Sequence, residues 1–485
     1  MSDLLNLKPA ALWTHFQNIC NIPHPSGEED AVRQYVLGFA EKHGLKAETD
    51  EAGNVVIRKP ATPGFENRVG VVLQGHLDMV PQKNADTEHD FSKDPIQAYV
   101  DGEWVKARGT TLGADNGIGM AAALAVLEDK ELQHGPVEAL FTIDEERSMV
   151  GAEELKSGWL QGKILLNLDT EEEGELYVGC AGGVDAIAEA TYTEESAEAG
   201  VNWLSLEVKG LKGGHSGCDI HLQRGNANKI MVNLLKALQT AGVRVASING
   251  GSLSNAIPRE AFAVVAAPAD KAEEVAAIVD EQLSISRNIL AETDGGIIIT
   301  ANAADAGEKV MAQADQQKWL DLFHAMPNGV DRMSESVEGV VETSNNFAIM
   351  TVSEGKIGVH CFARSLVDSA TSEIGERLIG LMRLAGMEAR LEGQFPGWQP
   401  NMDSAILASM KETYNSLYGK IPEVKVIHAG LECGLLGSKY PEWDMLSIGP
   451  TICFPHSPDE KVEINSVEKF WSLLSEALAR VPVAE

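Results

Sequence analysis

VGVVLQGHLDMV, residues 69–80, is a near-continuous apolar run whose polar residues gather towards its end. Such a run suits a strand buried on both faces, the usual state of a strand inside a parallel sheet. Two similar runs follow, VEALFTID (137–144) and KILLNLD (163–169). Between the first and second lies ADNGIGMAAALAVLEDK (114–130), rich in Ala, Leu and Met with an acidic start, which predicts a helix. Strands alternating with helices imply an α/β fold with a mostly parallel central sheet flanked by helices. Upstream, helices are predicted over 9–22 and 28–43, then a strand pair over 46–59 turning at Gly53-Asn54.

Near residue 190 the pattern changes. Alternating strands and two helices over 190–283 form a β-α-β-β-α series, typical of a small α+β domain. Residues 337–393 partly echo it. From residue 397 the strand–helix alternation returns and ends in the helix NSVEKFWSLLSEALARV. The expected organisation is a discontinuous α/β domain, 1–187 and 396–485, with an inserted α+β lid, 188–395, built from two ferredoxin-like sub-modules.

Composition limits the function. The 485 residues carry 39 Lys+Arg against 72 Asp+Glu, a net charge of −33. Such a chain repels phosphate backbones and anionic lipid, so neither nucleic acid nor membrane is an expected partner. No run reaches 18 apolar residues, and the first 20 residues lack a basic region followed by an apolar one. Six cysteines, widely spaced and without a CxxC, read as reduced thiols. A cytoplasmic protein is expected. There is no GxxxxGK[ST] and no GxSxG, and GADNGIGMA places acidic and amide side chains where a dinucleotide would need bare backbone.

Chemistry-bearing residues recur at strand ends. His76 and Asp78, two apart, share a strand face. Asp115 opens the Ala-rich helix, Glu145 and Glu146 follow VEALFTID, and Asp169 closes KILLNLD. His456 lies in TICFPHSPDE, after another strand. Each alone is ordinary: an Asp before a helix is most often a cap, and a carboxylate after a strand a solvated turn residue. Together they fall at the carboxyl edge of a parallel sheet, where ligands bind. Two histidines and three carboxylates suit two zinc-type ions when one carboxylate bridges.

The order H-x-D, G-A-D-N-G, E-E, D and a late H-S resembles the M20 family of dinuclear zinc peptidases. The likeness spans nearly the whole chain. It includes NIPHPSGEE (21–29), QKNADTEHDFSKDPI (82–96), DGEWVKARGTTLGADNGIGMA (101–121) and GLKGGHSG (210–217). It continues through NAIPREAF (255–262), PGWQP (396–400), HAGLECG (428–434) and SIGPTICFPHSPDE (447–460). The resemblance implies that His76 and Asp169 bind one metal, Glu146 and His456 the other, and that Asp115 bridges. It makes Asp78 the carboxylate that orients His76, Glu145 the general base and His215 the oxyanion donor. Arg364 and Asn255 would hold a substrate carboxylate. Glu432 would contact the substrate amine or stand behind the ligands.

The implied activity is hydrolysis of unblocked dipeptides, Xaa-His favoured, by a water that two divalent ions activate. Zinc is the expected metal, with cobalt and manganese open. An N-acyl-amino-acid deacylase, a tripeptidase or a carboxypeptidase on the same scaffold is the alternative, and a catalytically inert binding protein is the reading from another class. A homodimer is expected, unless the doubled lid stands in for a partner subunit.

Overall fold

The computed structural model describes residues 3–484. The chain forms two compact units. The first is Met1–Gly179, Pro400–Val426 and Leu431–Glu485, and the second is Cys180–Gln399 and Ile427–Gly430. No helix of the described residues is long and apolar enough to cross a membrane.

The first unit is built on an eight-stranded sheet. Its order is Lys46–Thr49, Val55–Lys59, Val137–Thr142, Val71–His76, Ile164–Asn167, Asp444–Ser447, Glu175–Cys180 and Glu423–Ile427. The four middle strands, Val137–Thr142 to Asp444–Ser447, are parallel. Beyond them, Lys46–Thr49 pairs antiparallel with Val55–Lys59, Val55–Lys59 with Val137–Thr142, and Glu175–Cys180 with Asp444–Ser447. The apolar runs explain the division: every residue of Val71–His76, Val137–Thr142 and Ile164–Asn167 is buried, as two-faced cover by helices requires. The helices Ala10–Cys20, Ala114–Glu128 and Ile464–Arg480 share one apolar core with these strands. Gly117 keeps Ala114–Glu128 narrow where the Phe16 ring packs on it, since a Cβ there would meet that ring at 3.0 Å.

All four middle strands run the same way, so their carboxyl ends share one edge. The functional loops leave from that edge. Gly449, just past Asp444–Ser447, passes so close to Thr170 that an added Cβ would overlap its carbonyl oxygen. Gly449→Ala is therefore expected to destabilise the protein by about 1–3 kcal/mol through overpacking. A lowered denaturant midpoint with an unchanged slope would show it.

A four-stranded sheet of Ile452–Cys453, Lys461–Glu463, Trp104–Ala107 and Ala98–Asp101 was not anticipated. Its strands are two to four residues long and join segments some 350 residues apart, so no local period announces them.

The second unit holds an antiparallel sheet of nine strands among the described residues. One β-α-β-β-α-β module comprises Val201–Lys209, helix Ala227–Gln239, Arg244–Gly250, Ala261–Pro268, helix Ala272–Ile289 and Ile298–Ala303. The other comprises Gly182–Thr191, helix Gln313–Ala325, Val341–Ser353, Lys356–Ser365, helix Asp368–Leu384 and Glu388–Phe395. In both, the strands lie in the order fourth, first, third, second, the ferredoxin-like arrangement. The modules join where Arg244–Gly250 pairs with Val341–Ser353. The first module is inserted after the opening strand of the second.

Candidate metal centre

Strand Val71–His76 carries His76 to the carboxyl edge of the sheet, where it is buried. Its Nδ1 lies 3.0 Å from the carbonyl oxygen of Asp78 and 3.4 Å from that residue's carboxylate. Those oxygens hold a proton on Nδ1 and orient the ring. Nε2 then faces Asp115 Oδ1 at 3.1 Å and Asp169 Oδ1 at 3.5 Å. On the other side, His456 Nε2 lies 3.2 Å from Asp115 Oδ2 and 2.9 Å from Glu146 Oε2. Asp115 thus offers one oxygen to each imidazole.

Two clusters result, His76–Asp115–Asp169 and Asp115–Glu146–His456, each with its ligating atoms within 4.8 Å of one another. A third grouping, His76–Glu145–Glu146, brings in Glu145. Neighbours on a strand point to opposite faces, yet both glutamates reach the cluster. The strand ends at Thr142, and Asp144 adopts a left-handed φ of 53°. That kink breaks the alternation before Glu145. Asp78 then fixes the turn, accepting hydrogen bonds from the backbone amides of Glu145 at 3.0 Å and Glu146 at 3.2 Å.

The electrostatics call for positive charge. Burial raises the Glu145 carboxyl well above its ordinary value, with Asp169, Glu432 and Glu146 adding to the shift against His76. Burial and Asp115 push Glu146 up to about 7, and burial takes Asp169 to about 6 despite His76. His456 rises to about 11 through its hydrogen bonds with Asp115 and Glu146. Asp115 goes the other way: burial opposes ionisation, but His456 and His76 hold it well below the carboxylate range. Glu146 Oε1 and Asp169 Oδ1 are buried without a hydrogen-bond partner. Unpartnered carboxylate oxygens beside two imidazoles fit divalent cations.

Three further carboxylates frame the centre. Glu432, in helix Glu432–Lys439, is only 1% exposed. Its Oε2 accepts from Gln74 at 2.6 Å and Thr142 at 2.7 Å. Gln74 continues to Asn167 at 2.6 Å, and Asn167 to Ser447. This polar chain crosses all four parallel strands. Residues 74, 142, 167 and 447 looked like ordinary strand positions, and only the register of the parallel pairs joins them. Glu171 was also passed over; burial, then Asp115 and Asp169, push it up to about 9. Glu460, the third, binds the backbone at Asp115.

In the second unit, His215 Nδ1 accepts from the backbone amides of Gly217 at 3.1 Å and Cys218 at 3.0 Å. The ring proton therefore sits on Nε2, which lies 3.4 Å from Arg364 Nη2. Burial, then the Arg364 charge, lowers His215 to about 4, so the ring is neutral. Arg364 projects from strand Lys356–Ser365 and is 4% exposed, with Nε lacking a hydrogen-bond partner. Two donors thus face each other without a shared acceptor. Asn255 is exposed beside them: its carbonyl accepts from Ser216 at 2.8 Å, and His215 pairs with Ala256.

Residues 72–480 match the model of peptidase family M20/M25/M40. Over 483 residues, 99% of this chain and 100% of the relative, the sequence is 50% identical to the cytosol non-specific dipeptidase of Escherichia coli (strain K12). The crystal structure of aminoacylhistidine dipeptidase from Vibrio alginolyticus superposes with a TM-score of 0.94 at 50% identity, covering 100% of this chain and 99% of that one. Aminopeptidase PepT from Bacillus cereus shares the fold, with a TM-score of 0.56 at 15% identity over 98% of this chain and 99% of that one. A family match that includes every residue of the two His-carboxylate clusters, with whole-length relatives at half identity, makes the chain a member of peptidase family M20.

Proposed function

We propose that the protein is a cytoplasmic metallodipeptidase that hydrolyses unblocked dipeptides, those of the Xaa-His type among them. The observation that carries this reading is Asp115, whose two oxygens face His76 and His456 at 3.1 and 3.2 Å. One carboxylate shared by two His-carboxylate clusters is the donor set of a dinuclear site. The relatives of the same length named dipeptidases supply the substrate class, and the name of the Escherichia coli relative supplies the compartment.

His76, Asp169 and Asp115 would hold one divalent ion, and Glu146, His456 and Asp115 a second, zinc by preference with cobalt or manganese as substitutes. Bound there, the ions supply the Lewis acidity that polarises an amide carbonyl and acidifies the attacking water. Glu145 takes the proton from that water and returns it to the leaving amine. Its carboxyl lies in the same grouping as His76 and Glu146, within reach of that water. Asp78 holds His76 and the glutamate turn together.

His215 offers a neutral Nε2–H to the oxyanion that forms on the carbonyl. Arg364, buried and with Nε lacking a hydrogen-bond partner, takes the substrate carboxylate, with Asn255 adding a hydrogen bond. A buried guanidinium with an unsatisfied Nε is costly unless a ligand anion meets it. Glu432 lies too deep to meet the substrate amine and acts through Gln74 and Thr142 as a positioning residue.

The test is hydrolysis by metal-stripped protein with and without added zinc, cobalt or manganese. The substrates are β-Ala-His, an α-linked Xaa-His dipeptide and its N-acetylated form. The expected result is metal-dependent cleavage of the free dipeptides alone. Cleavage of the acetylated substrate would make the protein a deacylase, and no cleavage with any ion would overturn the reading.

A further inference from the structure

Glu460 is 2% exposed. Its carboxylate accepts from four consecutive backbone amides: Oε2 from Leu112 at 2.7 Å and Gly113 at 3.0 Å, Oε1 from Ala114 at 2.8 Å and Asp115 at 3.3 Å. These amides open the helix Ala114–Glu128 and have no partner within it. Glu460 itself ends the loop that carries His456, and the strand Lys461–Glu463 follows immediately. One side chain therefore ties the backbone of Asp115 to the loop of His456.

Both tied segments are irregular. Gly113 is left-handed at φ 70°, and Asp115 leaves helical geometry at φ −81° and ψ 108°. In the other loop Phe454 and His456 sit at φ 56° and 58°, a region costly for residues with a side chain. Strained backbone persists only where its surroundings over-determine it. Glu460 belongs to one of these segments and binds the other. Between the same two segments His456 Nε2 approaches Asp115 Oδ2 at 3.2 Å.

We infer that Glu460 is a positioning residue that sets the Asp115–His456 separation, and through it the retention of the cation held by Asp115, Glu146 and His456. The inference rests on the dinuclear reading above. It goes further in making the two ions unequal: loosening this clamp shifts Asp115, which both ions share, but it also displaces His456, which serves one ion alone, while Asp78 keeps its hold on His76 at the other.

The experiment is a calorimetric zinc titration of metal-stripped wild type and Glu460→Gln. Gln is isosteric but sets an NH₂ group against two of the four amides. Wild type is expected to take up two ions. The variant should keep one step and lose about 10–100-fold in affinity at the other, the usual cost of removing a partner behind a ligand. Its kcat should fall at limiting zinc and recover in excess zinc, with KM for β-Ala-His unchanged. Two wild-type-like steps in Glu460→Gln would overturn the inference, even with a lowered melting temperature, because Glu460 would then serve folding alone. If that variant does not fold, Glu460→Asp keeps the charge on an arm one methylene shorter. A weakened step there supports the clamp and an unchanged pair of steps overturns it. Wild type binding no zinc would instead remove the dinuclear reading.

Discussion

Glu145→Gln is expected to lower kcat for a free dipeptide about 10²–10⁴-fold, the range that loss of a positioned general base costs. KM should hardly move and both metal ions should stay bound. The amide matches the carboxylate in shape but cannot accept a proton from water or return one to the leaving amine. Its neighbour provides the contrast. Glu146 reaches His456 at 2.9 Å and has its second oxygen unpartnered, so Glu146→Gln should lose metal as well as turnover. Measuring kcat, KM and bound zinc on both variants separates the roles. Loss of zinc from Glu145→Gln would make Glu145 a ligand, and a near-wild-type kcat would remove it from the chemistry.

Asp115→Asn is expected to abolish turnover by emptying both metal positions. Each imidazole faces a different oxygen of this side chain, and an amide presents only one oxygen and none of the negative charge. The loss of metal affinity should exceed the roughly 10–100-fold that removing a partner behind a ligand costs. Zinc content by elemental analysis, with the melting temperature, checks this. A variant that keeps two ions would break the bridging role.

The same geometry sets a pH dependence for metal uptake by the wild type. Without a cation, His456 stands at about 11, Glu146 at about 7 and Asp169 at about 6. A metal must displace those protons. The sign follows: lowering the pH from 8 through 7 and 6 protonates Glu146 and then Asp169, so zinc affinity falls as pH falls. Zinc titrations at these pH values should show it, with proton release visible in buffers of different ionisation enthalpy. Affinity independent of pH over this range would count against these three residues as ligands.

The α/β class, the mostly parallel sheet and membership of the M20 family were legible in the sequence, because they rest on local patterns. Apolar runs such as VVLQGH and VEALFT report burial on both faces directly, and strings such as TTLGADNGIGMA carry the family likeness within a dozen residues. His76, Asp115, Glu145, Glu146, Asp169 and His456 could be singled out because each sits where a predicted strand or helix begins or ends. Other features came only from tertiary structure. The echo at 337–393 looked partial because its opening strand, Gly182–Thr191, lies far upstream with an entire second module inserted between. The left-handed turn at Asp144 decides that adjacent glutamates face one cluster, and no residue type announces that turn. For Glu432 the sequence left two roles open, a contact to the substrate amine or a place behind the ligands, and its buried hydrogen bonds to Gln74 and Thr142 exist only in the folded chain. Glu460 passed unnoticed because its partners, the amides of residues 112–115, have no side-chain signature and stand 345 or more positions away. Periodicity and motif survive in one dimension because they are made of neighbours. Hydrogen bonds between distant backbone and a buried carboxylate exist only once the chain has closed on itself.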